Sequence, residues 1–246
     1  MYTEIVMPAA TLGRIDTPEA QKYIKEALDP RSVHEMARDF GNNAPAPAKS
    51  AGYDFDLKGT PVIAYYVHPR EALDFYPDHL KPVAEQYLKR EFGTLDPYIG
   101  LNPALPEMDR KIGKGFGTAV LEHEKGHGAQ PKGKFVLKSI YARTPFGEIP
   151  LGEMIVEGMV EYALERRGKK PPSRYFDEIE GEGKATYSQY RNFVYEMEGK
   201  SPGITRQIMR AATRGGPNAA IRLIQSVPDM DKIIAKYSWN LNNRRN

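Results

Sequence analysis

Thr118 to Gln130 reads Thr-Ala-Val-Leu-Glu-His-Glu-Lys-Gly-His-Gly-Ala-Gln, and its centre is His123-Glu124-Lys125-Gly126-His127, a His-Glu-x-x-His stretch. On a helix, side chains four residues apart stand one above the other, so His123 and His127 can aim their imidazoles at one point. Two neutral imidazoles converging there suit a zinc ion. Glu124 follows the first histidine and projects beside the metal rather than at it, where it can hold a water molecule as general base.

The flanking residues support a helix with a purpose. Phe116, Val120, His123 and His127 follow an i, i+4, i+7, i+11 series, so the histidines continue an apolar face and are predicted to lie at a buried edge. Gly126 and Gly128 flank the second histidine, which lets a partner approach closely and the helix end there. Gly113, Gly115 and Gly117 give a flexible entry. The competing explanation is an ordinary surface helix with two histidines, which the apolar face argues against.

Composition narrows the chemistry. The chain of 246 residues has no cysteine, so disulfides and thiolate metal sites are excluded and any zinc must be held by nitrogen and oxygen. Apolar residues make up 40% and charged residues 27%, an ordinary globular balance. No apolar run approaches the roughly 18 residues of a membrane span, and the N-terminus lacks a basic region followed by an apolar core. The expectation is a cytoplasmic protein without a membrane partner. A net charge of +3 with both signs interspersed does not call for nucleic acid; the basic end around Arg244 and Arg245 reads as a solvated tail.

Two short helices are predicted over 17–29 and 32–40, followed by a proline-containing linker at 42–52. The linker divides an N-terminal appendage, 1–52, from a main domain, 53–246. Pro61 to Val67 reads as a strand and His79 to Phe92 as an amphipathic helix with Leu80, Val83, Ala84, Tyr87 and Leu88 on one side. Asp96 to Asn102 reads as a second strand, and its early proline suits a sheet edge. Such an edge could pair with an extended peptide through Tyr98, Ile99, Gly100 and Leu101. Residues 129–150 leave strand and short helix both open. A helix is expected over 149–168, with Met154, Glu157, Glu161 and Leu164 on one face. Residues 174–183 read as an acidic loop, and a helical C-terminal subdomain begins near residue 184, with helices at 185–198, 204–213, 219–226 and 230–237.

A catalytic zinc takes three protein ligands and keeps one position open. Glu157 is the best third ligand: it sits on a helix, on the face that carries Glu161, and Gly158 beside it admits another backbone. His34, His68 and His79 compete. Glu161, one turn on, is placed to accept the free N–H of a ligating histidine; a carboxylate paired with Arg or Lys is the alternative.

His123-Glu124-Lys125-Gly126-His127 followed by Val156-Glu157-Gly158-Met159-Val160-Glu161-Tyr162 resembles the gluzincin metallopeptidases, whose third zinc ligand is a glutamate on a later helix. The metzincin pattern is absent, since Gln130 and Gly133 stand where its glycine and third histidine would be. The resemblance implies an α+β, zincin-like catalytic domain with a small sheet and an active-site helix. It implies zinc on His123, His127 and Glu157, with Glu124 activating a zinc-bound water toward a peptide bond of a peptide or protein substrate. Tyr187 to Tyr195 is similar to the tyrosine-bearing helix of the aminopeptidase branch, with Tyr187 in the place of the oxyanion-stabilising tyrosine. The branch's usual glycine is Tyr190 here, so Tyr190 is a second candidate, and aromatic packing a third. Two other readings compete with the enzyme: a latent or non-cleaving metal-binding scaffold, and a DNA-associated regulatory protease.

Overall fold

The computed structural model describes residues 53–54, 63–67, 69–73, 76–92, 95–96, 98–102 and 105–242. The helices expected over 17–29 and 32–40, the linker, His34, His68 and the basic end lie outside them. The chain runs β1 (Tyr53–Asp54), β2 (Ala64–Val67), α1 (Pro69–Ala72), a 3-10 turn (Asp78–Leu80), α2 (Lys81–Phe92), β3 (Tyr98–Leu101), α3 (Leu105–Ile112) and α4 (Phe116–Ala129). It continues with α5 (Gly133–Leu137), β4 (Ala142–Thr144), β5 (Gly147–Ile149), α6 (Leu151–Arg166), α7 (Pro172–Glu180), α8 (Thr186–Lys200), α9 (Ile204–Gln225) and α10 (Met230–Asn242). The class is α+β. Two compact units divide inside α4, between Glu124 and Lys125.

In the first unit β3 lies between its neighbours, in the order β1-β3-β2. It pairs antiparallel with β2 from Ala64↔Leu101 to Val67↔Tyr98, and parallel with β1 at Tyr53↔Gly100 and Asp54↔Leu101. The expected edge strand is therefore a central one, and Tyr98 to Leu101 is not open along its length to a peptide. The early proline, Pro97, lies outside the described residues. Helix α2 forms where expected, but only Ala84 and Leu88 of its apolar side are buried; Leu80, Tyr87 and Val83 are exposed, Val83 to 67%. Residues 80, 83 and 87 share one face of the helix and 84 and 88 the adjacent one, so the buried stripe is narrower than the apolar one.

Helix α4 begins after a tight approach. Gly113 and Gly115 have φ of 148° and 95°, which side chains rarely adopt, and the Asp109 carboxylate accepts the Gly117 N–H at 2.7 Å. An anion there both satisfies a free donor and suits the positive end of the helix. Phe116, Val120, His123 and His127 are all buried, as the periodicity requires. The helix runs through Gly126 and Gly128 and ends at Ala129, later than the glycines suggested.

The second unit is built on α6, which is buried from Leu151 to Leu164 on nearly every face. A helix apolar all round belongs at the centre of a bundle. Close packing depends on its glycines. A Cβ on Gly158 would fall 2.3 Å from the Tyr190 carbonyl oxygen of α8, and one on Gly152 would fall 1.6 Å from the Leu137 carbonyl oxygen of α5. The segment left open by sequence is both structures in turn: α5, then the two-stranded antiparallel hairpin β4-β5, in register Ala142↔Ile149 to Thr144↔Gly147.

The expected acidic loop at 174–183 is instead helix α7. Its first position is Pro172, which pre-sets φ for a helix start. Its buried residues are Pro172, Ser173, Tyr175 and Asp177, so half of what it buries is polar. Arg191 of α8, fully buried, donates through Nη1 to Ser173 Oγ at 2.6 Å and through Nη2 to Asp177 Oδ2 at 2.9 Å. Burial works against the Asp177 charge, but hydrogen bonds from Ser188, Arg191 and the Gly183 N–H, with the Arg191 charge, hold the carboxyl below its usual range. The helices expected from 185 onward are present. The pair at 204–213 and 219–226 is one element broken at Gly216, where φ is 69° and ψ −165° and Pro217 follows.

Candidate metal centre

His123 and His127 sit one turn apart on α4, and Glu157 lies in the middle of α6. Each offers one ligand atom, and the three atoms lie within 4.8 Å of one another. Their spacing along the chain is short for the histidines and 30 residues for His127 and Glu157, so the hydrophobic burial of α6 is what delivers the carboxylate. Glu157 is 5% exposed.

The Glu157 carboxylate is divided between two partners. Oε2 lies 2.8 Å from His127 Nε2, and Oε1 accepts from Lys138 Nζ at 2.9 Å. On the other side of the ring, His127 Nδ1 lies 2.9 Å from Gln130 Oε1, while Gln130 Nε2 donates to the Val156 carbonyl at 2.7 Å. A carbonyl can only accept, so the amide nitrogen faces Val156, its oxygen faces the ring, and Nδ1 carries the proton. A neutral ring so arranged turns its Nε2 lone pair toward a carboxylate oxygen 2.8 Å away. Two electron pairs at that separation are held together only by a cation between them, a proton or a metal ion. Two imidazoles and one carboxylate fit a divalent transition metal, so the residues pass this test.

The end of α4 is fixed around the ligand. Lys134, itself buried, donates from Nζ to the His127 carbonyl at 2.6 Å. That carbonyl is in the last turn, where Pro131, four residues on, has no N–H to offer it, and a cation suits the negative end of the dipole. Glu153, one turn before Glu157, has its carboxyl pushed up by burial, with Lys138 opposing and Glu157 adding to the shift.

Glu124 is buried at 8% exposure beside His123. The acceptor for the His127 ring N–H is Gln130, where Glu161 was expected in a role of this kind. Glu161 is wholly buried, and its Oε2 accepts the Ser173 N–H at 3.2 Å, at the positive end of α7. Tyr187 is 41% exposed on the first turn of α8, its ring 6.0 Å from that of Tyr190. Tyr190 is buried, and its carbonyl lies against Gly158, the residue after Glu157. His79 is exposed in the 3-10 turn and is not one of the three grouped ligands. The sequence reading missed Gln130 and Lys138. Gln130 carried a faint signal, a polar residue three positions after a candidate ligand; Lys138 carried none.

Among the described residues no helix is long and apolar enough to cross a membrane. Comparison of the chain with protein-family models, with curated proteins and with solved structures gives no match.

Proposed function

We propose that the chain is a zinc metallopeptidase of the gluzincin type, with a zincin-like arrangement of small sheet, histidine-bearing helix and later glutamate-bearing helix. The observation that carries the reading is the group His123, His127 and Glu157 with ligand atoms within 4.8 Å, together with a buried glutamate immediately after the first histidine. A structural site would use all its positions for protein ligands, whereas three ligands leave one open, the signature of a catalytic site.

Bound zinc supplies a Lewis acid that polarises a carbonyl and brings the pKa of water down to about 7. Glu124 then takes a proton from the attacking water and returns it to the departing amine, general acid and base in turn. Gln130 keeps the His127 proton on Nδ1, so Nε2 is free to bind metal. Lys138 engages one oxygen of Glu157 and leaves the other for the metal. The Tyr187 hydroxyl is assigned to the tetrahedral oxyanion, a contact worth on the order of 3 kcal/mol where such donors have been removed. Peptide pairing along the whole of Tyr98 to Leu101 has no part in this reading, because Gly100 and Leu101 are paired on both sides.

The test measures zinc content and cleavage of unfolded casein for wild type, His123→Ala and Glu124→Gln. The expected pattern is about one equivalent of zinc in wild type, none in His123→Ala, and retained zinc without cleavage in Glu124→Gln. Zinc without cleavage in wild type would replace the enzyme with a metal-binding scaffold.

A further inference from the structure

We infer that Gln130 is a positioning residue that sets both the tautomer of His127 and the register of α4 against the helix that supplies Glu157. The inference rests on the metal-centre reading and deepens it. Gln130 is 2% exposed, and both ends of its amide are used. Oε1 takes the Nδ1 proton of His127 at 2.9 Å, and Nε2 donates at 2.7 Å to the carbonyl of Val156, the residue just before Glu157. Each bond dictates the other. Were the amide reversed, its nitrogen would face a ring nitrogen and its oxygen would face a carbonyl oxygen, so only one orientation satisfies both partners.

The two ligands joined in this way come from different helices. His127 can reach a metal through Nε2 only while its proton stays on Nδ1, and an outer hydrogen bond of this type orients the ring and raises its basicity. Val156 and Glu157 share a peptide unit, so tying the Val156 carbonyl to α4 also limits sliding of the carboxylate along the α6 axis. Gln130 is itself held: its N–H bonds back to the Gly126 carbonyl at 3.1 Å, and Lys134 closes the same helix end on the His127 carbonyl. A side chain anchored in this way acts on the metal without touching it.

The test compares the full chain with Gln130→Met and Gln130→Glu, reading zinc affinity by chelator competition, the Co(II) absorption spectrum and the thermal midpoint. Gln130→Met keeps length and loses both hydrogen bonds; its zinc dissociation constant is expected to rise about 10- to 100-fold, with a changed Co(II) spectrum. Gln130→Glu keeps an acceptor for Nδ1–H and loses the donor to Val156. It is expected to regain most of the affinity while its thermal midpoint stays low. A role in packing alone would lower the midpoint in both variants and leave the affinity pattern flat. Wild-type affinity in Gln130→Met overturns the inference, as does Gln130→Glu binding no better than Gln130→Met. A wild-type chain with no affinity for zinc overturns the metal centre itself and this inference with it.

Discussion

Gly158→Ala adds a single methyl group at the closest approach of α6 and α8, and the structure fixes what that methyl meets. It would lie 2.3 Å from the Tyr190 carbonyl oxygen, 2.7 Å from its carbonyl carbon and 2.8 Å from a Val194 methyl, where real contacts essentially never fall below 3.0 Å. Two of the three obstacles are backbone atoms, which cannot rotate aside, so the helices must part by roughly 0.7 Å in a core packed to crystal density. Overpacking of this kind costs about 1–3 kcal/mol, and immovable obstacles place it at the upper end. Against that, alanine is favoured over glycine inside a helix by about 1 kcal/mol. The expected net loss is about 2 kcal/mol, read from urea unfolding at constant m. Gly199→Ala is the internal control: it lies near the end of α8 with nothing within 4 Å of its added methyl, so only the propensity gain of up to about 1 kcal/mol applies. Opposite signs for the same substitution are the prediction. Gly158→Ala as stable as wild type would mean that α6 and α8 are not in this contact, and the placement of Glu157 would lose its support.

Arg191→Leu leaves buried Asp177 with the more distant Arg174, 3.7 Å away, as its remaining cation, and a loss of up to about 3–5 kcal/mol is expected; Arg191→Leu with Asp177→Leu should recover much of it, and strictly additive losses would sink the pairing. Stability should be flat at neutral pH and fall in acid. Burial opposes the charges of Asp177 and Glu165, but hydrogen bonds and neighbouring arginines hold both folded pKa values below their usual ones. The unfolded chain therefore takes up protons first, so stability present above about pH 4 is lost as pH drops through the folded values; a urea midpoint unchanged between pH 5 and pH 3 would contradict this. Zinc at a hundredfold excess over its dissociation constant should stabilise by about 2.7 kcal/mol, an upward shift in thermal midpoint that a chelator reverses and His123→Ala abolishes.

What could be read from the sequence was what depends on local pattern. The histidine spacing, the apolar face behind it and the start and stop of α6 are statements about single helices, and the structure bears them out. Gly158 was legible as well, because a glycine in a helix beside a candidate ligand implies close approach. Strand order was not. Whether Tyr98 to Leu101 lies at an edge depends on β1, 47 residues earlier in the pairing Tyr53↔Gly100, and nothing inside the strand encodes that. Helix α7 escaped because its sequence reads as acidic and two of its four buried residues, Ser173 and Asp177, are polar side chains whose partners include Arg191 of another helix. Gln130 escaped for a similar reason: one of its partners is a backbone carbonyl, which every residue has and no sequence pattern marks.

The position of Glu157 is determined more than once, and this bears on function. Along α6, Gly152 seats the helix on the Leu137 carbonyl of α5 and Gly158 seats it on the Tyr190 carbonyl of α8. Between those two contacts, the Val156 carbonyl is tied to Gln130, just past the end of α4, and the carboxylate itself is split between His127 and Lys138. Four separate constraints thus act within about two helical turns, and they come from three places: the end of α4, α5 with the residue after it, and α8. A buried carboxylate would ordinarily be a liability, since burial penalises its charge. Here the surrounding helices cannot relax away from it without giving up backbone packing at two glycines. A site built for a cation gains from such rigidity, because its ligands do not have to be gathered when the ion arrives. The turned imidazole and the amide behind it set Nε2 and the Glu157 Oε2 around one position for a cation, a proton or a metal ion.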